Sequence, residues 1–112
     1  MASKGRDAYR QRAAVLKALA HPSRLLMVEE LSRGERCVCE LTERVGADIT
    51  TVSKHLSLLK ATGIVACEKR GLKVFYRLRC PCVVNFFDCI EAVRKEQARD
   101  GTAEPVSAAR IN

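Results

Sequence analysis

The chain has no long run of apolar residues. Nothing in its 112 residues approaches the roughly 20 consecutive apolar positions needed to cross a bilayer, which excludes a membrane-spanning function. The opening MASKGRDAYRQRAA also lacks the hydrophobic segment of an export signal. The expected location is the cytoplasm, with no membrane partner. Thiols stay reduced there, so the six cysteines point to metal binding or redox chemistry and not to a disulfide framework. No C-x-x-C spacing occurs and no βαβ pattern surrounds the C-x-C pairs, which argues against a thioredoxin-type enzyme and against catalysis by these thiols. Internal repeats are absent as well.

What the chain does have is positive charge. The net charge of +7 is distributed as +4 over residues 1–36, +4 over residues 37–79 and −1 over residues 80–112. A basic front and middle form the expected footprint of a polyanion binder.

Periodicity organises the chain into one domain. Tyr9, Ala13, Leu16 and Ala20 fall at helical spacing over residues 6–20. Pro22 disfavours helical geometry at His21, and Pro22 or Ser23 can then open a second helix, whose face is Leu25, Leu26, Val28 and Leu31. Val38, Leu41 and Val45 mark a third helix ending at Gly46. Asp48 is a good N-cap for a fourth over residues 49–62, with Gly63 closing it. The period then changes. IVACEKRGLKVFYRLRC alternates as a β-hairpin with the basic tip KRGLK. A last helix is predicted over residues 83–96, and residues 97–112 read as a disordered tail. Two short helices joined through a glycine and followed by a basic hairpin make a winged helix-turn-helix, mainly α with a small β-hairpin, over residues 1–96.

The fourth helix supplies a reason for the charge. With Val52, Leu56 and Leu59 facing the core, Thr50, Thr51, Ser53, Lys54, His55 and Ser57 are left outside. Such a helix suits the major groove, where methyls touch thymine and hydroxyls reach base edges or phosphates. Lys69, Arg70 and Lys73 at the hairpin tip would add phosphate contacts.

The stretches ALAHPSRLLMVEEL, CVCELTERVG, DITTVSKHLSLLKATGIV and EKRGLKVFYRL, in this order, resemble the ArsR/SmtB family of metal-responsive winged-helix repressors over about residues 8–95. The resemblance implies a homodimer built on the first and last helices. It also implies double-stranded operator DNA with inverted-repeat symmetry, released when an inducer binds. No organic cofactor is expected.

The CVC of Cys37 and Cys39, followed by Glu40 and Leu41, is similar to the inducer site of the family's arsenic-sensing branch. Residues two apart on a regular helix point about 200° from each other, so Cys37 is expected to be extended and Cys39 to begin the third helix. Thiolates at a helix start favour soft ions, and the resemblance implies As(III) first, with Sb(III), Cd(II) or Pb(II) as alternatives. The third cysteine of several arsenic sensors is Thr42 here, and the N-terminal arm has none. Cys80 or Cys82 is the candidate to complete a trigonal or tetrahedral sulfur site with Cys37 and Cys39, if residues 36–38 pair with residues 78–80. Cys67 and Cys89 read as packing residues. The last helix lacks histidine for the family's zinc site. The persulfide-sensing branch uses a cysteine in helix 2, where this chain has Glu29. The alternative function is a thiol or persulfide switch between CVC and CPC in the same fold.

Overall fold

The computed structural model describes residues 2–100; most of the predicted tail lies outside them. Five α-helices, α1 (Ala2–Leu19), α2 (Pro22–Leu31), α3 (Val38–Val45), α4 (Ile49–Ala61) and α5 (Asn85–Arg99), surround a sheet of β1 (Arg36–Cys37), β2 (Val65–Arg70) and β3 (Lys73–Leu78). The winged helix-turn-helix expected from periodicity is the observed fold, with two shifted boundaries. The first helix starts earlier, at Ala2, and the last is preceded by a 3₁₀ turn at Pro81–Val84 and runs on to Arg99, into the stretch assigned to the tail.

Local chemistry explains the helix ends. His21 is held extended ahead of Pro22, and its Nδ1 accepts the Ser23 N–H at 3.1 Å, capping α2. Asp48 caps α4 by accepting the Thr51 N–H at 2.7 Å. Gly46 closes α3 in the left-handed region, at φ 75°, where a side chain would be strained.

The helices bury one stripe each. Met27, Val28 and Leu31 of α2, Leu41 of α3, and Val52, Leu56 and Leu59 of α4 form the core with Ile64 and Val65 at the foot of β2. Spacing of i, i+4 and i+7 on α4 turns its opposite side to solvent. By contrast α5 buries none of its residues completely, and Phe86, Ile90 and Val93 stay exposed on it, as do Tyr9 and Leu16 on α1.

The sheet is antiparallel in the order β1-β3-β2. Gly71, at φ 62°, and Leu72 make the two-residue turn between Arg70 and Lys73. In β1, Arg36 lies opposite Tyr76 and Cys37 opposite Phe75. This corrects the register expected from the sequence. Moving from Cys37 to Cys39 runs back along β3 towards the wing tip, while beyond Leu78 the Arg79 N–H bonds to the Ile64 carbonyl at 2.9 Å, on the β2 side. The chain thus carries Cys80 and Cys82 away from Cys37 and Cys39.

Candidate nucleic-acid interface and cysteine hinge

Helix α4 presents Thr50, Thr51, Ser53, Lys54 and Ser57 as exposed side chains beside its capped N-terminus. The Thr51 amide holds the Asp48 carboxyl below the usual carboxylate range, so the cap stays charged at neutral pH.

His55 differs from its neighbours. It is half-buried, its ring centroid 4.5 Å from that of His21, and its Nδ1 lies 3.0 Å from Nη1 of Arg24. Arg24 also donates through Nε to the Ala18 carbonyl. Because a guanidinium can only donate, His55 Nδ1 accepts and the ring is neutral. Burial, then His21 and Arg24, lower the His55 pKa. His55 thus ties α4 to the α1–α2 corner, and Arg24 is a residue that polar patterning did not single out.

The wing divides its basic residues. Lys69 and Lys73 are exposed near the tip. Arg70 instead makes a bidentate pair with Glu35, at 2.6 and 2.8 Å, bonds Glu68 at 2.7 Å, and lies over the Phe75 ring at 4.8 Å. Glu35, then Glu68, raise its pKa further. Its charge is already answered within the chain.

At the start of α3, Cys37 is extended and belongs to β1, and Cys39 lies in the first helical turn. This is the placement expected from their spacing. The two form a disulfide, with Cα atoms 5.3 Å apart. The bond lies within CVC and not between CVC and CPC, because the register separates those pairs. Cys37 is also the α3 N-cap. Its Sγ accepts the Glu40 N–H at 3.4 Å, and its own N–H donates to Glu40 Oε1 at 2.9 Å. This reciprocal capping box, C-x-x-E, follows the pattern in which a short acceptor side chain precedes Glu by three residues. The sequence displays it, yet it is easily missed because sulfur is an unusual cap.

Behind the hinge, the Glu30 carboxylate gathers Arg33, Arg36 and Arg44 at 3.1, 3.6 and 3.3 Å, joining α2, β1 and α3. Among the described residues, no group of three or more His, Cys, Asp or Glu side chains is placed to hold a metal ion. The expected site, in which Cys80 or Cys82 joins Cys37 and Cys39, is therefore not assembled among the described residues. Cys80, Cys82 and Cys89 are exposed, so Cys89 does not pack in the core; Cys67 is half-buried, and its thiol helps hold the Lys60 proton.

Residues 21–66 match the arsR family of bacterial regulatory proteins. The biofilm growth-associated repressor of Xylella fastidiosa (strain Temecula1) is 36% identical over 89 residues, covering 77% of this chain and 78% of that protein. The chain belongs to the ArsR family. Solved ArsR-like structures share its architecture. A homodimeric winged helix-turn-helix DNA-binding domain from Mycobacterium bovis has a TM-score of 0.73 at 31% identity, covering 87% of this chain and 90% of that one. Reduced HlyU from Vibrio cholerae has a TM-score of 0.69 at 27% identity, covering 80% and 95%. The chain spans only 47% and 40% of the length of other curated relatives it matches. The fold and these relatives are those of ArsR-type regulators, not of enzymes. Among the described residues, no helix is long and apolar enough to cross a membrane.

Proposed function

We propose that this chain is a homodimeric DNA-binding transcriptional repressor whose operator affinity is set by the redox state of Cys37 and Cys39. One observation carries the reading. Cys37 is at once half of a disulfide, the β1 residue opposite Phe75, and the N-cap of α3, which packs against α4. A bond made or broken at that sulfur acts on the element that positions the DNA reader.

The two redox states differ in what they require of the hinge, and the direction of the switch is part of the proposal. In a regular helical start the two side chains diverge by about 200°. The disulfide instead requires both sulfurs at one point, so it selects a hinge geometry that the dithiol is not obliged to adopt. The reduced dimer binds its operator and the oxidised dimer releases it. Thr50, Thr51, Ser53, Lys54 and Ser57 contact the major groove; Lys69 and Lys73 contact phosphate; the exposed apolar faces of α1 and α5 pair the protomers. Inverted half-sites about one helical turn apart match such a dyad.

The test is operator affinity by fluorescence anisotropy, on a fragment footprinted upstream of the chain's own gene, for dithiol and diamide-oxidised protein. A weakening of about tenfold or more on oxidation, reversed by reductant, is expected. Equal affinities would sink the switch.

A second reading is favoured by the 5.3 Å Cα separation. The reduced pair can bridge one soft ion, with arsenite as the leading inducer and Sb(III), Cd(II) or Pb(II) as alternatives. With two protein sulfurs, the third ligand on As(III) is a solvent hydroxide or small thiol. Release by arsenite under strictly reducing conditions, with no release by diamide, selects this reading over the first.

A further inference from the structure

The geometry points to Cys39 as the sulfur that exchanges with an external low-molecular-weight thiol, and to Cys37 as the leaving and resolving sulfur. This rests on the thiol-switch reading and gives it a chemical direction.

Three observations distinguish two sulfurs only two residues apart. Access differs first: Cys37 is 4% exposed, whereas Cys39 is exposed on the first turn of α3. A thiolate attacks a disulfide along the sulfur–sulfur axis, from the far side of the sulfur it joins. Cys39 lies open to solvent, whereas the burial of Cys37 leaves little room for an external thiol to approach its sulfur. The leaving group differs next. Cys37 Sγ already accepts the Glu40 amide at the N-terminus of α3, where partial positive charge favours a thiolate. A better stabilised thiolate leaves faster. Finally, Cys37 keeps its structural task after departure, because the freed thiolate is a stronger acceptor for the same N–H. The cap survives the chemistry.

The steps balance. An external thiolate attacks Cys39 Sγ, forming a mixed disulfide there, and the electron pair of the broken bond passes to Cys37 Sγ. A second external thiolate attacks the external sulfur of that mixed disulfide, releasing a small-molecule disulfide and the Cys39 thiolate, which takes a proton from water. Two thiols are oxidised and the protein gains two electrons. In reverse, a small-molecule disulfide thiolates Cys39, and Cys37 attacks Cys39 Sγ to expel the small thiol and close the bond.

The probe is glutathione. The oxidised full chain is treated briefly with reduced glutathione, quenched with N-ethylmaleimide and digested with trypsin. Cleavage after Arg36 and Arg44 isolates both hinge cysteines on CVCELTER, apart from Cys67, Cys80, Cys82 and Cys89. Fragmentation is expected to place glutathione on Cys39 and maleimide on Cys37. In parallel, the reduced variants Cys37→Ser and Cys39→Ser react with glutathione disulfide. Cys39, alone at the hinge in the first, is expected to be thiolated about tenfold faster or more than Cys37 in the second. Serine can cap α3, and circular dichroism checks that both variants fold.

Glutathione found mainly on Cys37, equal rates in the two variants, or a hinge disulfide that glutathione does not open would each overturn the assignment. Operator affinity separates the two proposals. Thiolation at Cys39 with unchanged DNA binding retains the exchange chemistry and removes the switch; altered binding with thiolation at Cys37 does the opposite.

Discussion

Arg24 and His55, 31 residues apart in the chain, meet at 3.0 Å through Nη1 and Nδ1, and the contact joins the second helix to the helix proposed to read DNA. A protonated His55 would have no lone pair to offer Arg24 and would place its charge beside a guanidinium. His21, the other titratable group at this corner, faces it from the α1–α2 junction.

That contact sets a pH dependence. Burial, then His21 and Arg24, lower the folded-state pKa of His55 from 6.5. The unfolded chain therefore takes up the proton more readily. The contribution to stability is intact above pH 6.5 and is lost as pH falls below it towards the folded-state value. Urea midpoints of the full chain should decline between pH 7.5 and pH 5, with a smaller decline in His55→Gln. A variant with an undiminished decline would show that another group is responsible.

The wing basic residues should differ in DNA binding although they are neighbours. Lys69→Ala and Lys73→Ala are each expected to lower the slope of log affinity against log salt by about 1. Arg70→Ala should lower it less, because Glu35 and Glu68 already hold that guanidinium. An equal loss for all three would mean that Arg70 leaves its carboxylates on binding.

The cap at Cys37 separates structure from sensing. Cys37→Ala should destabilise the reduced protein by about 1 kcal/mol, the usual cost of losing an N-cap acceptor, whereas Cys37→Ser should cost much less. Both should abolish the response to diamide. Urea titration beside anisotropy reads the two effects independently.

The proposed dimerisation through α5 is open to direct disruption. Ile90→Asp and Val93→Asp place charges on a face that is exposed in the single chain. Light scattering should give the monomer mass, and operator binding should fall with it. A variant that remains dimeric would exclude this face as the interface.

The sequence was most legible where local rules decide the outcome. Asp48, Gly46 and Gly63 punctuate the helices, and Val52, Leu56 and Leu59 select the buried side of α4 without help from elsewhere. Cys37 was legible as extended because two sulfurs at that spacing cannot meet on a regular helix. The register of β1 was not legible. A two-residue strand carries no periodicity, and its pairing with Tyr76 and Phe75 is set by how α2 and α3 pack. His55 was misplaced among outward groups for a related reason. A polar side chain at a helix flank turns towards whichever partner the fold supplies, and Arg24 comes from another helix. Arg70 looked like a free cation because its partner Glu35 lies 35 residues earlier.

The reciprocal bonds between Cys37 and Glu40 narrow what mutation can do to this regulator over time. On the proposed switch, a replacement at position 37 that still caps α3, such as serine, threonine, aspartate or asparagine, would silence the response without unfolding the domain. Serine is a single nucleotide change from cysteine, so loss of the proposed response would be one step that keeps the α3 cap. Recovery demands cysteine itself.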